Sequence, residues 1–222
     1  MLVKGPTRNR KFSESMFIVW VLAGVFFFFQ CREAKEPGGW KTYRDDQLRF
    51  EIKYPANLIK VSKDNQCLLL LHSIPCEHPN PCDFSDNPSP PFAELTDFKV
   101  NIEVFNRDIN WAVRAHEGDY LTRNYLLEKE LKLEPGFIDE SRIGLLKGYR
   151  ISSGTHGCGW NNYYFPRDSI NTLFVHRSYV AELSPLIKIK GYEEYLKLPG
   201  VITPDKEEEL FNRILATFKF LK

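Results

Sequence analysis

The chain has 222 residues, enough for one ordinary domain with accessory segments. Hydrophobic residues make up 43% of it, including 17 Phe and 10 Tyr, so it can bury a core and is not an intrinsically disordered protein. Its formal net charge of +1 does not suggest a nucleic-acid surface, which would call for a basic stripe.

The first segment is polar and basic: Lys4, Arg8, Arg10 and Lys11 face only Glu14. Residues 16–29, MFIVWVLAGVFFFF, are apolar apart from Gly24, and Gln30, Cys31, Arg32 and Glu33 follow at once. A basic head before a short apolar run is the layout of a secretory signal. The run is shorter than the roughly 20 apolar residues that a spanning helix needs. Cys31 at its end resembles the lipobox of bacterial lipoproteins, with Gln30 in place of the usual small residue and Phe28 in place of Leu; relaxed spirochaete lipoboxes tolerate such changes. That resemblance implies a signal peptide over 1–30, removed so that an acylated Cys31 becomes the first residue. Several acyl chains hold a protein stably at a membrane where one would not. The other reading is an uncleaved signal anchor with Cys31 as an ordinary thiol. Both place the bulk of the chain outside the cytoplasm, in the cell envelope. Cleavage would leave 26 basic against 28 acidic residues.

Residues 31–39 read as a short charged and Pro/Gly-rich tether, and a single domain is expected over 40–222. Leu48, Phe50, Ile52 and Tyr54 alternate with Arg49, Glu51 and Lys53, which predicts a half-buried strand closed by Pro55. Cys67–Ile74 is a denser apolar run, the pattern of a strand buried on both faces. Residues 75–92 contain six prolines and are expected to form a long surface loop. Phe98, Val100, Ile102 and Val104 predict another strand. Leu121, Tyr125, Leu126 and Leu131 suggest a helix over 119–132, ended by Pro135 and Gly136. Strands are expected around 142–152 and 172–183. The clearest helix comes last: Thr203 as N-cap, Pro204 at the first position, and acidic Asp205, Glu207 and Glu208 at the positive end. Its stripe of Leu210, Phe211, Ile214, Leu215 and Phe218 should lie on a sheet.

WKTYRDDQLRFEIKYPANLIKV (40–61) resembles the opening of PsbP/Mog1-like domains, and EEELFNRILATFKF (207–220) resembles their closing helix and Thr-Phe-x-Phe tail. NTLFVHRSYVAEL, in the 172–184 region, sits where such a domain has a central strand. The resemblance implies an α+β fold, an antiparallel β-sheet with packed helices. It implies little about function, since fold alone does not fix activity.

Four cysteines follow Cys31: Cys67, Cys76, Cys82 and Cys158. Outside the cytoplasm an even number reads first as disulfides, in one of three connectivities. Pairing Cys76 with Cys82 is the most economical and leaves Cys67 for Cys158. The competing chemistry is a metal or thiol site drawing on His78, His156 and Cys158, because zinc prefers thiolate and imidazole; neither cluster has zinc-finger spacing. Ser152, Ser153 and Ser178 form no recognised triad spacing with His176. Trp160, Tyr163, Tyr164 and Phe165 are dense enough to make an interaction surface. The expectation is therefore a non-catalytic binding or envelope-interaction module without a cofactor. Its partners would be the membrane and an envelope protein or small ligand, met by the 75–92 loop and the 157–166 segment. The alternative is a metal- or thiol-dependent enzyme centred on His156 and Cys158.

Overall fold

The structure, a computed structural model, describes residues 39–64, 67–80, 82–83, 85–128, 130–155, 158–178 and 192–221. The expected signal peptide, Cys31 and His156 lie outside them. Among the described residues no helix is long and apolar enough to cross a membrane.

The fold is mixed α+β, and its strand pairings are antiparallel. A hairpin of β1 (Trp40–Asp45) and β2 (Phe50–Pro55) is joined on the β2 edge by β12 (Lys219–Phe220). The main sheet has seven strands: β3 (Lys60–Asp64), β4 (Cys67–His78), β5 (Phe92–Phe105), β8 (Ile138–Ile143), β9 (Leu146–Thr155), β10 (Cys158–Pro166) and β11 (Thr172–Ser178). Their order is β3-β4-β5-β11-β10-β9-β8, so β11 is the middle strand. Two very short strands, β6 (Leu126–Leu127) and β7 (Glu130–Leu131), form a separate ladder.

Each face of the main sheet packs its own core, because side chains alternate along every strand. On one face Phe98, Val100, Ile102, Val104, Leu173, Val175, Tyr163 and Phe165 meet Phe50 and Ile52 of β2. The closing helix α3 (Pro204–Ala216) adds Leu210, Phe211, Ile214 and Leu215 to that core, and Phe218 follows. The apolar stripe of this helix thus lies on a sheet, as its spacing requires. A buried ion pair fixes it there: Arg177 Nε donates to Glu207 Oε1 at 3.0 Å, Arg177 Nη2 also meets Glu207 Oε2, and the guanidinium lies 4.7 Å from the Phe211 ring centroid. On the opposite face Phe174, Tyr164, Tyr149, Ile151 and Ile138 meet Ile109, Ala112, Val113 and Leu121 of the helix α1 (Ile109–Tyr125). A short helix, α2 (Tyr192–Tyr195), precedes α3.

Several expectations change. The middle helix begins at Ile109, ten residues before the expected 119, and ends at Tyr125 rather than 132. Asp108 caps it, its side chain accepting from Trp111 N at 2.9 Å. The early turns bury only Ile109, Ala112 and Val113, and Gly118 interrupts the helix with φ 72 and ψ 177, so no regular stripe marks them. The expected strand at 142–152 is a hairpin whose turn, Gly144–Leu145, is flanked by apolar residues on both sides. Within Cys67–Ile74 only Leu68 and Leu70 are buried, and the other positions are half-buried. The strand β4 also runs past Pro75 to His78, so the irregular segment is confined to the described residues within 79–91. Proline is tolerated there because β3 pairs with β4 only from Cys67 to Leu71, leaving the Pro75 edge unpaired.

Candidate functional site

Rows of paired residues place the chemistry on the α1 side of the sheet. In register, Asn101 of β5, His176 of β11, Asn162 of β10 and Ile151 of β9 lie side by side. One step further along, Ser178 pairs with Trp160 and Trp160 with Ser153. Helix α1 covers Tyr164 and Phe174, and Gly118 kinks it directly after Glu117 before it continues to Tyr125. His176 and Ser178 are half-buried, and Trp160 is 41% exposed.

A chain of hydrogen bonds crosses from helix to sheet here. Glu117 Oε1 accepts from Tyr164 Oη at 2.6 Å and from Asn162 Nδ2 at 2.7 Å. With its amide nitrogen so used, Asn162 turns Oδ1 to His176 Nδ1, 2.8 Å away. An amide oxygen only accepts, so Nδ1 carries the proton and Nε2 of the neutral ring is left as an acceptor. Ser178 Oγ lies 3.5 Å from that Nε2. Burial, and then Lys99 and His116, hold His176 below the ordinary imidazole range, which keeps the ring neutral. Burial raises the Glu117 carboxyl, opposed by its two hydrogen bonds, and Tyr164 is raised by burial and by Glu117. The His116 ring stacks on Phe174 with centroids 4.3 Å apart, closing one side, and Trp160 lies 6.2 Å from the His176 ring. The result is an oriented hydrogen-bond acceptor beside an aromatic platform, on a rigid sheet.

The cysteine pairing differs from the economical one. Cys82 is bonded to Cys158, with Cα atoms 5.8 Å apart, and Cys67 and Cys76 are free. Cys67 and Cys158 begin β4 and β10, two strands apart from contact, a lateral separation of about 14 Å where a disulfide spans at most about 7 Å. Cys67 instead lies beside Glu103; burial, followed by that carboxylate, pushes its thiol up to about 11, so it stays protonated and unreactive. The Cys82–Cys158 bond ties the 79–91 loop to the start of β10, two residues from Trp160. It also removes Cys158 as a thiolate ligand or nucleophile. His78 is buried, with Nδ1 2.8 Å from Pro79 O and Nε2 3.1 Å from Glu94 O, so its ring nitrogens are occupied by backbone. Among the described residues no cluster of three metal-ligating side chains occurs.

The aromatic segment is a core strand rather than a loop. Tyr163, Tyr164 and Phe165 are buried on the two faces of β10, and of the four only Trp160 is exposed. Glu117 and Asn162 had no signal of their own: their roles need the β10–β11 register and the helix break. No family model matches this chain, and no curated protein matches it. The geometry alone must carry the functional reading.

Proposed function

We propose that the protein is an exported lipoprotein of the cell envelope, anchored through Cys31, whose PsbP/Mog1-like domain binds a ligand or partner protein at the open half of the main sheet. The contact surface is Trp160, the Nε2 acceptor of His176, Ser178 and the disulfide-tied 79–91 loop. The observation that carries the reading is the Glu117–Asn162–His176 chain. A fully satisfied polar network running out from beneath a helix fixes one tautomer and one ring orientation, which packing alone does not require. An exposed indole beside it supplies the aromatic anchor that dominates interface energies. The ligand is expected to present a hydrogen-bond donor to Nε2.

Site-specific photo-crosslinking in native membranes tests this. Replacing Trp160 by benzoylphenylalanine should give discrete covalent adducts, and a second change, His176→Ala, should diminish them. The same label in place of Leu145, fully exposed on the β8–β9 turn, should give none. Equal capture at both positions, or none at 160, would remove the site.

A further inference from the structure

On the face opposite His176, a cavity of about 350 Å³ opens between the β1–β2 turn, the end of β5 and the β10–β11 turn. Arg49 and Arg167 line it, together with Gln47, Asn106, Asp168 and Asn171. The last residues of the chain hold the Arg49 backbone and the Arg167 side chain. Arg49 has a left-handed backbone, φ 58, and its carbonyl accepts from Leu221 N at 2.8 Å. Arg167 lies 4.6 Å from the Phe220 ring centroid and donates through Nη2 to Leu221 O at 3.4 Å.

Among the described residues neither guanidinium pairs with a carboxylate. Asp168 also lines the cavity; its oxygens accept from Ile170 N and from Asn171 Nδ2, each at 2.9 Å, and these bonds, with the nearby Arg167 cation, hold its carboxyl below the ordinary range. Two forked cations and two amide donors around one cavity present more N–H groups than a carboxylate has lone pairs to receive. A phosphate group matches the donor count, since guanidinium forks pair bidentately with it.

We propose that this cavity binds a phosphate monoester, either a soluble ester or the phosphomonoester headgroup of a lipid. The site is independent of the sheet-face reading, because it uses the other face and none of the same residues.

Isothermal titration of the full-length chain in neutral detergent micelles tests it, with glycerol phosphate as the soluble probe and short-chain phosphatidate as the headgroup. Saturable binding of either at constant ionic strength is expected, and the tighter of the two identifies the source. Each of Arg49→Gln and Arg167→Gln should weaken it by about ten-fold or more, the loss of one charge-assisted hydrogen-bonded partner. Arg167→Gln also removes a packing contact with Phe220, so the exposed Arg49→Gln is the decisive variant, with folding checked by circular dichroism. No binding of either probe at millimolar concentration, unchanged binding in Arg49→Gln, or equally tight binding of malonate would each overturn the proposal.

Discussion

Glu117 accepts two hydrogen bonds through a single oxygen, and both donors are buried side chains, Asn162 and Tyr164. Removing the acceptor leaves both donors dry and unpaired, so Glu117→Ala should cost about 2 kcal/mol or more in urea unfolding. Glu117→Gln keeps an oxygen at the same place and should leave the network standing. The pair also has a pH signature. Burial raises the folded-state Glu117 carboxyl, so the folded chain holds its proton more tightly than the unfolded one, whose value is near 4.5. This contribution to stability is full below 4.5 and is lost as the pH rises through the folded-state value. Glu117→Gln should abolish that component, so its stability relative to the native chain improves as pH rises across the window. A flat difference between the two proteins would mean that the carboxyl is not held as the geometry implies.

At the scale of elements, Gly118 kinks α1 directly after Glu117, the residue that anchors the hydrogen-bond chain. The Gly118 φ of 72 with ψ of 177 belongs to a region that essentially only glycine visits. A Cβ built there would meet nothing within 4 Å, so the cost of Gly118→Ala is conformational rather than steric. It should amount to about 1–3 kcal/mol of stability, measured by denaturant unfolding. Neighbouring glycines make a different demand: a Cβ on Gly159 would lie 2.1 Å from Ser153 O and 2.8 Å from Gly154 Cα, because the two strands approach there with no room for a side chain. The same contrast explains what was legible in the sequence. Phe98, Val100, Ile102 and Val104 alternate on one core, and Thr203 through Phe218 carry both helix-start chemistry and an apolar stripe, so β5 and α3 could be read directly. Helix α1 could not, since its buried positions are few and Gly118 interrupts their period. The Pro-rich stretch concealed the end of β4 because proline is excluded only from paired edges. The site was legible in fragments: His176 and Ser178 share a strand face by spacing, but Asn162 joins them only through register, and Cys82 finds Cys158 only through tertiary proximity.

For the whole molecule, cysteine chemistry and anchoring can be read in one measurement. Intact mass of the protein isolated from membranes should equal residues 31–222 plus acyl groups. Under denaturing, non-reducing conditions two thiols, Cys67 and Cys76, should alkylate, and two more, Cys82 and Cys158, only after reduction. A full-length mass without acyl groups would make the N-terminus an uncleaved anchor. Four thiols alkylated without reduction would remove the link between the 79–91 loop and β10.

The strand order carries a consequence of its own. Strands β3, β4 and β5 follow one another in chain and in space, and so do β8, β9, β10 and β11, so the sheet is two meanders zipped along one seam between β5 and β11. Every other neighbouring pair in it is local in sequence; this seam joins Phe105 to Thr172 and must wait for the chain between them. His176 lies on the seam, opposite Asn101. The 79–91 loop belongs to one half and Trp160, His176 and Ser178 to the other, so the proposed binding face is complete only in molecules whose two halves have closed.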